Sequence, residues 1–127
     1  MYDVTVEPGD GRGALASVGE TLGAAGVSVE GGGVFTVGGR PVAHFLFRDG
    51  EAACSALRAA GIPVTGCRKV LTRRLDQERP GQLGAITRAL ADAGVTVEVL
   101  YSDHDHRLVI VADDPVAAAA ATAAWDR

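Results

Sequence analysis

Four consecutive polar residues, Asp103-His104-Asp105-His106, are the first place where this sequence could do chemistry, because carboxylates and imidazoles suit divalent metal ions. They stand between two apolar β-type runs, where a short polar stretch reads as a solvated hairpin tip and alternation sends neighbours to opposite faces. No metal site is expected there. His44 lies in Pro41-Val-Ala-His-Phe-Leu-Phe47 and alternates onto one face with Val42 and Leu46, which fits a partly buried, hydrogen-bonded imidazole. Cys54 and Cys67 have no Cys-x-x-Cys spacing and no second pair, so neither zinc nor a disulfide framework is indicated, and both are expected to be buried thiols. The chain has no Gly-x-Ser-x-Gly elbow, no Walker-type Gly-x-x-x-x-Gly-Lys and no His-Glu-x-x-His. Neither a catalytic residue nor a cofactor is expected.

Two turns suit binding instead. Glu78-Arg79-Pro80-Gly81-Gln82-Leu83 and Asp10-Gly11-Arg12-Gly13-Ala14-Leu15 each join a β-type run to a helical pattern. A glycine there lets a ligand approach the main chain, and the first helical N–H groups have no intrahelical partner, so they attract a carboxylate at the positive end of the helix dipole. Gly81 and Gly13 occupy that place. Pro80 would stiffen its turn and lower the ordering cost of binding. Arg79 suits a carboxylate and Glu78 an ammonium group, while Ser28 and Thr96 could present hydroxyls. The same turns also serve simply to cap a helix, with Glu78 and Arg79 solvated.

The elements that would position these turns come in duplicate. The segment Gly13 to Val29 aligns without gaps on Gly81 to Val97, matching Ala-Gly-Val and the final Val in both copies. Leu15, Val18, Leu22 and Ala25 recur at helical spacing, as do Leu83, Ile86, Leu90 and Ala93. Gly26 and Gly94 stand where a helix ends in a left-handed residue. Strands are predicted to start at Val27-Ser28-Val29 and at Val95-Thr96-Val97-Glu98-Val99, and to return as Pro41 to Phe47 and His106 to Ala112. Second helices follow Asp49 and Asp114-Pro115, residues suited to an N-cap and a first helical turn. Ile62 to Leu75 is extended, with a bulge or break at Gly66. Val34 to Val37, between Gly31-Gly32-Gly33 and Gly38-Gly39, extends the first hairpin as an arm that could close over a ligand.

The order is therefore βαββαβ followed by βαββα, with two short helices per copy covering one face of an antiparallel sheet. A net charge of -4 argues against nucleic acid. The one basic cluster, Arg68-Lys69 with Arg73-Arg74, reads as polar positions on a partly solvated strand. No apolar run reaches the roughly 20 residues that span a bilayer, and the N-terminus lacks the pattern of a signal peptide, so no membrane partner and a cytoplasmic location are expected.

Glu78-Arg79-Pro80-Gly81-Gln82-Leu83 and Ala93-Gly94-Val95-Thr96-Val97-Glu98 together resemble the ACT-domain pattern Asp/Glu-Arg-Pro-Gly-x-Leu and Ala-Gly-Ile/Val-Asn-Ile. With the duplication, Tyr2 to Ala124 is similar to free-standing tandem ACT proteins. The resemblance implies an α+β fold of two ferredoxin-like units in tandem, residues 1–68 and 69–127, paired side by side, the second lacking its last strand. It implies a non-catalytic regulatory module binding a small-molecule effector, most often an amino acid. Carried over by position, the ligand residues would be Glu78 to Leu83 with Thr96 and Val97, and Asp10 to Leu15 with Ser28 and Val29. The first copy departs from the pattern at Gly11-Arg12-Gly13, and Ser28 and Thr96 stand where the family often has Asn. An edge left open by the missing strand predicts a homodimer. The competing readings are a protein–protein interaction module without a small ligand, and an acylphosphatase-like enzyme, which would need an Asn that this chain lacks.

Overall fold

The computed structural model describes every residue from Met1 to Arg127. The chain forms two compact units, Met1–Lys69 and Val70–Arg127. In the first, β1 (Tyr2–Val6), α1 (Ala14–Ala24), β2 (Gly31–Val37), β3 (Arg40–Phe47), α2 (Gly50–Ala59) and β4 (Val64–Lys69) follow one another. The second holds β5 (Leu71–Arg73), α3 (Gln82–Asp92), β6 (Val97–Ser102), β7 (Leu108–Ala112) and α4 (Pro115–Ala121), then a 3₁₀ turn at Ala123–Trp125. The α+β, ferredoxin-like arrangement read from the sequence is the one observed. Both sheets are antiparallel, ordered β2-β3-β1-β4 and β5-β7-β6.

In the first unit, Gly38 and Gly39 take φ of 58° and 79°, the two-residue turn whose twist matches that of the strands it joins. It pairs Val37 with Arg40 and carries the register without a slip to Gly31 opposite Leu46. Facing residues share a side of the sheet, so Val4, Val6, Ala43 and Phe47 lie together and pack against Val18 and Leu22 of α1 and Ala53, Cys54 and Leu57 of α2. Asp49 caps α2 by accepting from the Ala52 amide at 3.0 Å. At Gly66 the expected irregularity appears: Thr5 faces Gly66 and Val6 faces Val64, leaving Thr65 as the extra residue.

The second unit packs Ile86 and Leu90 of α3, Val95, Leu108 and Ile110 against Ala118 of α4. Asp114 accepts from the Ala117 amide at 3.0 Å, with Pro115 in the first turn. Arg73 departs from the solvated reading of the basic cluster. Its side chain is buried, donating to Thr122 Oγ1 at 2.9 Å and to the Ala119 carbonyl at 3.1 Å, so it ties α4 to β5.

Other expectations are corrected by the same geometry. β2 begins at Gly31 and β6 at Val97, not at Val27 and Val95, because β3 ends at Phe47 and β7 at Ala112 and nothing earlier has a strand to pair with. Leu15 and Leu83 are exposed, as are Ala25 and Ala93; only the middle turns of α1 and α3 are covered. Cys67 is exposed because β4 is an edge strand. The β5 edge is partly occupied by the chain itself: the Arg74 amide donates to the Trp125 carbonyl at 3.1 Å, and the Arg127 guanidinium to the Arg74 carbonyl at 3.2 Å.

β2 lies so close to β3 that a Cβ on Gly32, whose φ is +125°, would stand 1.9 Å from the His44 carbonyl oxygen. Gly32→Ala is expected to cost more than about 2 kcal/mol in urea unfolding. Gly19→Ala, in α1 where a Cβ meets nothing within 4 Å, should instead gain about 0.5–1 kcal/mol. A small effect of Gly32→Ala would show that β2 separates easily from β3.

Candidate functional site

The antiparallel register sets Val6 opposite Ala43, which brings the segment leaving β1 beside the tip of the β2–β3 hairpin. Between them lies an open depression of about 610 Å³. Pro8, Gly9, Asp10 and Gly11, with Ala14 and Leu15 at the start of α1, form one wall. Val34 and Thr36 of β2, Gly38, Gly39, Arg40 and Pro41 form the other. A neighbouring hollow of about 250 Å³ shares Gly9, Asp10, Arg40 and Pro41. Asp10 and Arg40 thus bring opposite charges to one place, and neither side chain is engaged in an ion pair within the chain. No side chain caps α1, whose N-cap is Gly13; the Ala14 amide donates to the Gly11 carbonyl at 3.0 Å, and the amides of Leu15 and Ala16 are left for water or a ligand.

The corresponding place in the second unit is arranged differently. Arg73 faces Leu108, which sets the segment after β5 beside the β6–β7 turn. A depression of about 400 Å³ is lined there by Arg74, Leu75, Asp76, Gln77, His106 and Arg127. Its Arg74 is already engaged: the guanidinium donates to the Asp105 carbonyl at 2.9 Å and to its carboxylate at 2.6 Å.

The tempting polar residues are built into structure. His44 Nδ1 lies 3.0 Å from the buried Asp3 carboxylate and 3.4 Å from Thr5 Oγ1. Both neighbours meet the same ring nitrogen, whereas a relay from hydroxyl to carboxylate needs one at each nitrogen. Asp103 accepts from the amides of Asp105 and Arg107 at 2.9 and 2.8 Å, and from the Arg107 guanidinium at 2.8 Å. It thereby organises the turn in which His106 takes a φ of 58°. Burial acts most strongly on this carboxyl and would raise its pKa, but the Arg107 amide and guanidinium and the Asp105 amide together outweigh it and hold it below the usual value.

Of the residues singled out in the sequence, Asp10, Gly11, Ala14 and Leu15 line the first depression, with Arg12 and Gly13 in the same turn. Ser28 is exposed in the segment before β2, and Val29 packs against the core. In the second unit Glu78, Arg79 and Pro80 are exposed, Gly81 is the left-handed N-cap of α3 at φ 91°, and Gln82 and Leu83 open the helix. The Glu78 amide donates to the Asp76 carboxylate at 3.3 Å, so Asp76 shapes that turn. Thr96 is tied to Asp113 through its amide and carbonyl, and Val97 packs on the core. Thr36, Arg40 and Pro41 were not singled out; the glycine-flanked arm that contains or borders them was the available signal.

No family profile matches this sequence, and no curated protein matches it significantly. Solved structures do share its fold. Protein BT0572 from Bacteroides thetaiotaomicron superposes with a TM-score of 0.76 at 20% identity, over 94% of this chain and 83% of the other. The regulatory subunit of aspartate kinase from Thermus flavus gives 0.70 at 17% identity, over 97% and 90% of the two chains. Its counterpart from Thermus thermophilus, in a ligand-free form, gives 0.70 at 18% identity, over 99% and 92%. The fold expected from the ACT resemblance, two ferredoxin-like units in tandem, is thus shared with regulatory subunits.

The depressed pKa of Asp103 sets a pH test. Its ionised form contributes stability that is present above the unfolded-state pKa and is lost as pH falls through the lower folded-state value. Asp103→Asn should cost about 1.5–3 kcal/mol at neutral pH. In thermal unfolding followed by circular dichroism, the gap from the parent should narrow below pH ~4. A gap independent of pH would show that the carboxylate charge is not what holds the turn.

Proposed function

We propose that this chain is a non-catalytic, cytoplasmic regulatory module whose first unit binds a small zwitterionic effector of the amino-acid class. One observation carries the reading: Asp10 and Arg40 stand unpaired on opposite walls of one depression beside the uncapped start of α1. A carboxylate suits Arg40 and the helix donors, and an ammonium group suits Asp10. The shared fold with regulatory subunits of aspartate kinase supports the same role. The turn from Glu78 to Leu83 and the adjoining hollow at Asp76 are a second, weaker site on this reading, because Arg74 is held by Asp105.

A thermal-shift screen of the proteinogenic amino acids tests it: a ligand at a hundred times its Kd should stabilise the fold by about 2.7 kcal/mol. For the amino acid that binds, Arg40→Ala or Asp10→Asn should each weaken affinity by roughly two- to fivefold in calorimetry, with unchanged circular dichroism. Undiminished affinity in both variants would remove the site from this depression.

The exposed side chains of Val34, Phe35 and Val37 on the edge strand β2 favour a second reading, in which that edge pairs with a partner, a second copy first of all. Light scattering across a concentration series should then show a dimer that Phe35→Lys abolishes. A concentration-independent monomer mass would exclude self-pairing.

A further inference from the structure

A second depression of the first unit, of about 750 Å³, holds both cysteines of the chain. Cys54 lies on the inward side of α2 and is 4% exposed; Cys67, opposite Val4 on the edge strand β4, is open to solvent. Both residues line this one depression between α2 and β4, so the two thiols face a shared space. Gly50, one helical turn before Cys54, helps to make this fit: a Cβ there would stand 3.0 Å from Cys67 Sγ and 2.7 Å from the Tyr2 Cβ.

We propose that Cys54 and Cys67 are a dithiol that closes reversibly to an intramolecular disulfide under hydroperoxides, fastening α2 to β4. The accessible Cys67 reacts first. Its thiolate attacks the peroxide oxygen, the O–O bond breaks, the departing alkoxide or hydroxide takes up a proton, and Cys67 becomes a sulfenic acid. The Cys54 sulfur then attacks the Cys67 sulfur; its proton and the sulfenic hydroxyl leave as water and the S–S bond forms. The two thiols lose two electrons and the peroxide gains them, giving an alcohol (water, for hydrogen peroxide) and a water. Burial above all, then the neighbouring Cys67 thiol, raises the Cys54 pKa to about 11, which keeps Cys54 protonated and leaves the first attack on the peroxide to Cys67.

The test uses the full chain and hydrogen peroxide, read by intact mass and by thiol labelling after denaturation. Expected is the loss of both thiols with the mass of two hydrogens, a single-chain band on a non-reducing gel, and full recovery with dithiothreitol. In Cys54→Ser, Cys67 should stop as a sulfenic acid trapped by dimedone. In Cys67→Ser, a change at an exposed position, Cys54 should stay reduced over the same time. Further oxidation of Cys67 while Cys54 keeps its thiol, or disulfides between chains in place of the internal one, would overturn the proposal.

Discussion

α1, α2 and α3 all stop in the same way. The amide of Val27 donates to the Leu22 carbonyl at 2.9 Å, that of Ile62 to Leu57 at 3.0 Å and that of Val95 to Leu90 at 3.0 Å, while the intervening glycine donates to the carbonyl one residue further on. Gly26, Gly61 and Gly94 take φ of 70°, 75° and 74°, so each is the left-handed residue of a Schellman motif. The apolar residue after the glycine is thereby turned back toward the residue whose carbonyl it uses. All six residues of these pairs belong to or pack on the two cores. Each helix must then reverse onto its own sheet, and the next strand enters from a fixed point. The antiparallel register does the rest: Val6 opposite Ala43 and Arg73 opposite Leu108 put each strand-to-helix turn at the same end of its unit as the hairpin tip.

On this common skeleton the two copies differ in how their hairpins use charge. The first has a long, glycine-flanked hairpin in which seven residue pairs face each other, with Arg40 beside the tip and unengaged. The second has a shorter one whose tip is tied by Asp103 to Arg107 and by Asp105 to Arg74. A carboxylate arriving at Arg74 would have to displace Asp105 at 2.6 Å, whereas at Arg40 it would displace only water. The duplication thus supplies two equivalent places and the side chains make them unequal.

Element order, both capped second helices, the left-handed helix ends, the Gly66 irregularity and the role of His44 were legible because each rests on residue type and spacing within a few positions. What local pattern does not hold is where a strand's partner ends. That alone moved the start of β2 from Val27 to Gly31, since Phe47 closes β3. Burial of Arg73 was hidden for a similar reason: its partners Thr122 and Ala119 lie far along the chain. The turns were legible as places where main chain is available, but Arg40 was not, because only the register of a hairpin brings it to Asp10.

That register also bears on how much affinity the depression can give. Asp10 and Arg40 are exposed, and solvent-exposed ion pairs contribute about 1 kcal/mol or less each. Two such contacts, even with the α1 donors, leave a ligand near the weak end of the affinity scale unless water is kept out. The wall that can exclude water is the hairpin, where Val34 and Thr36 face the turn. Its own stability is lowered by a run of three glycines, one of which lies so close to β3 that no side chain fits. The glycines therefore act twice, setting the close strand pairing that builds the wall and leaving it soft enough to adjust to what it covers. On the proposed reading, charge would select the ligand class at this site and the apolar hairpin would determine how tightly it is held.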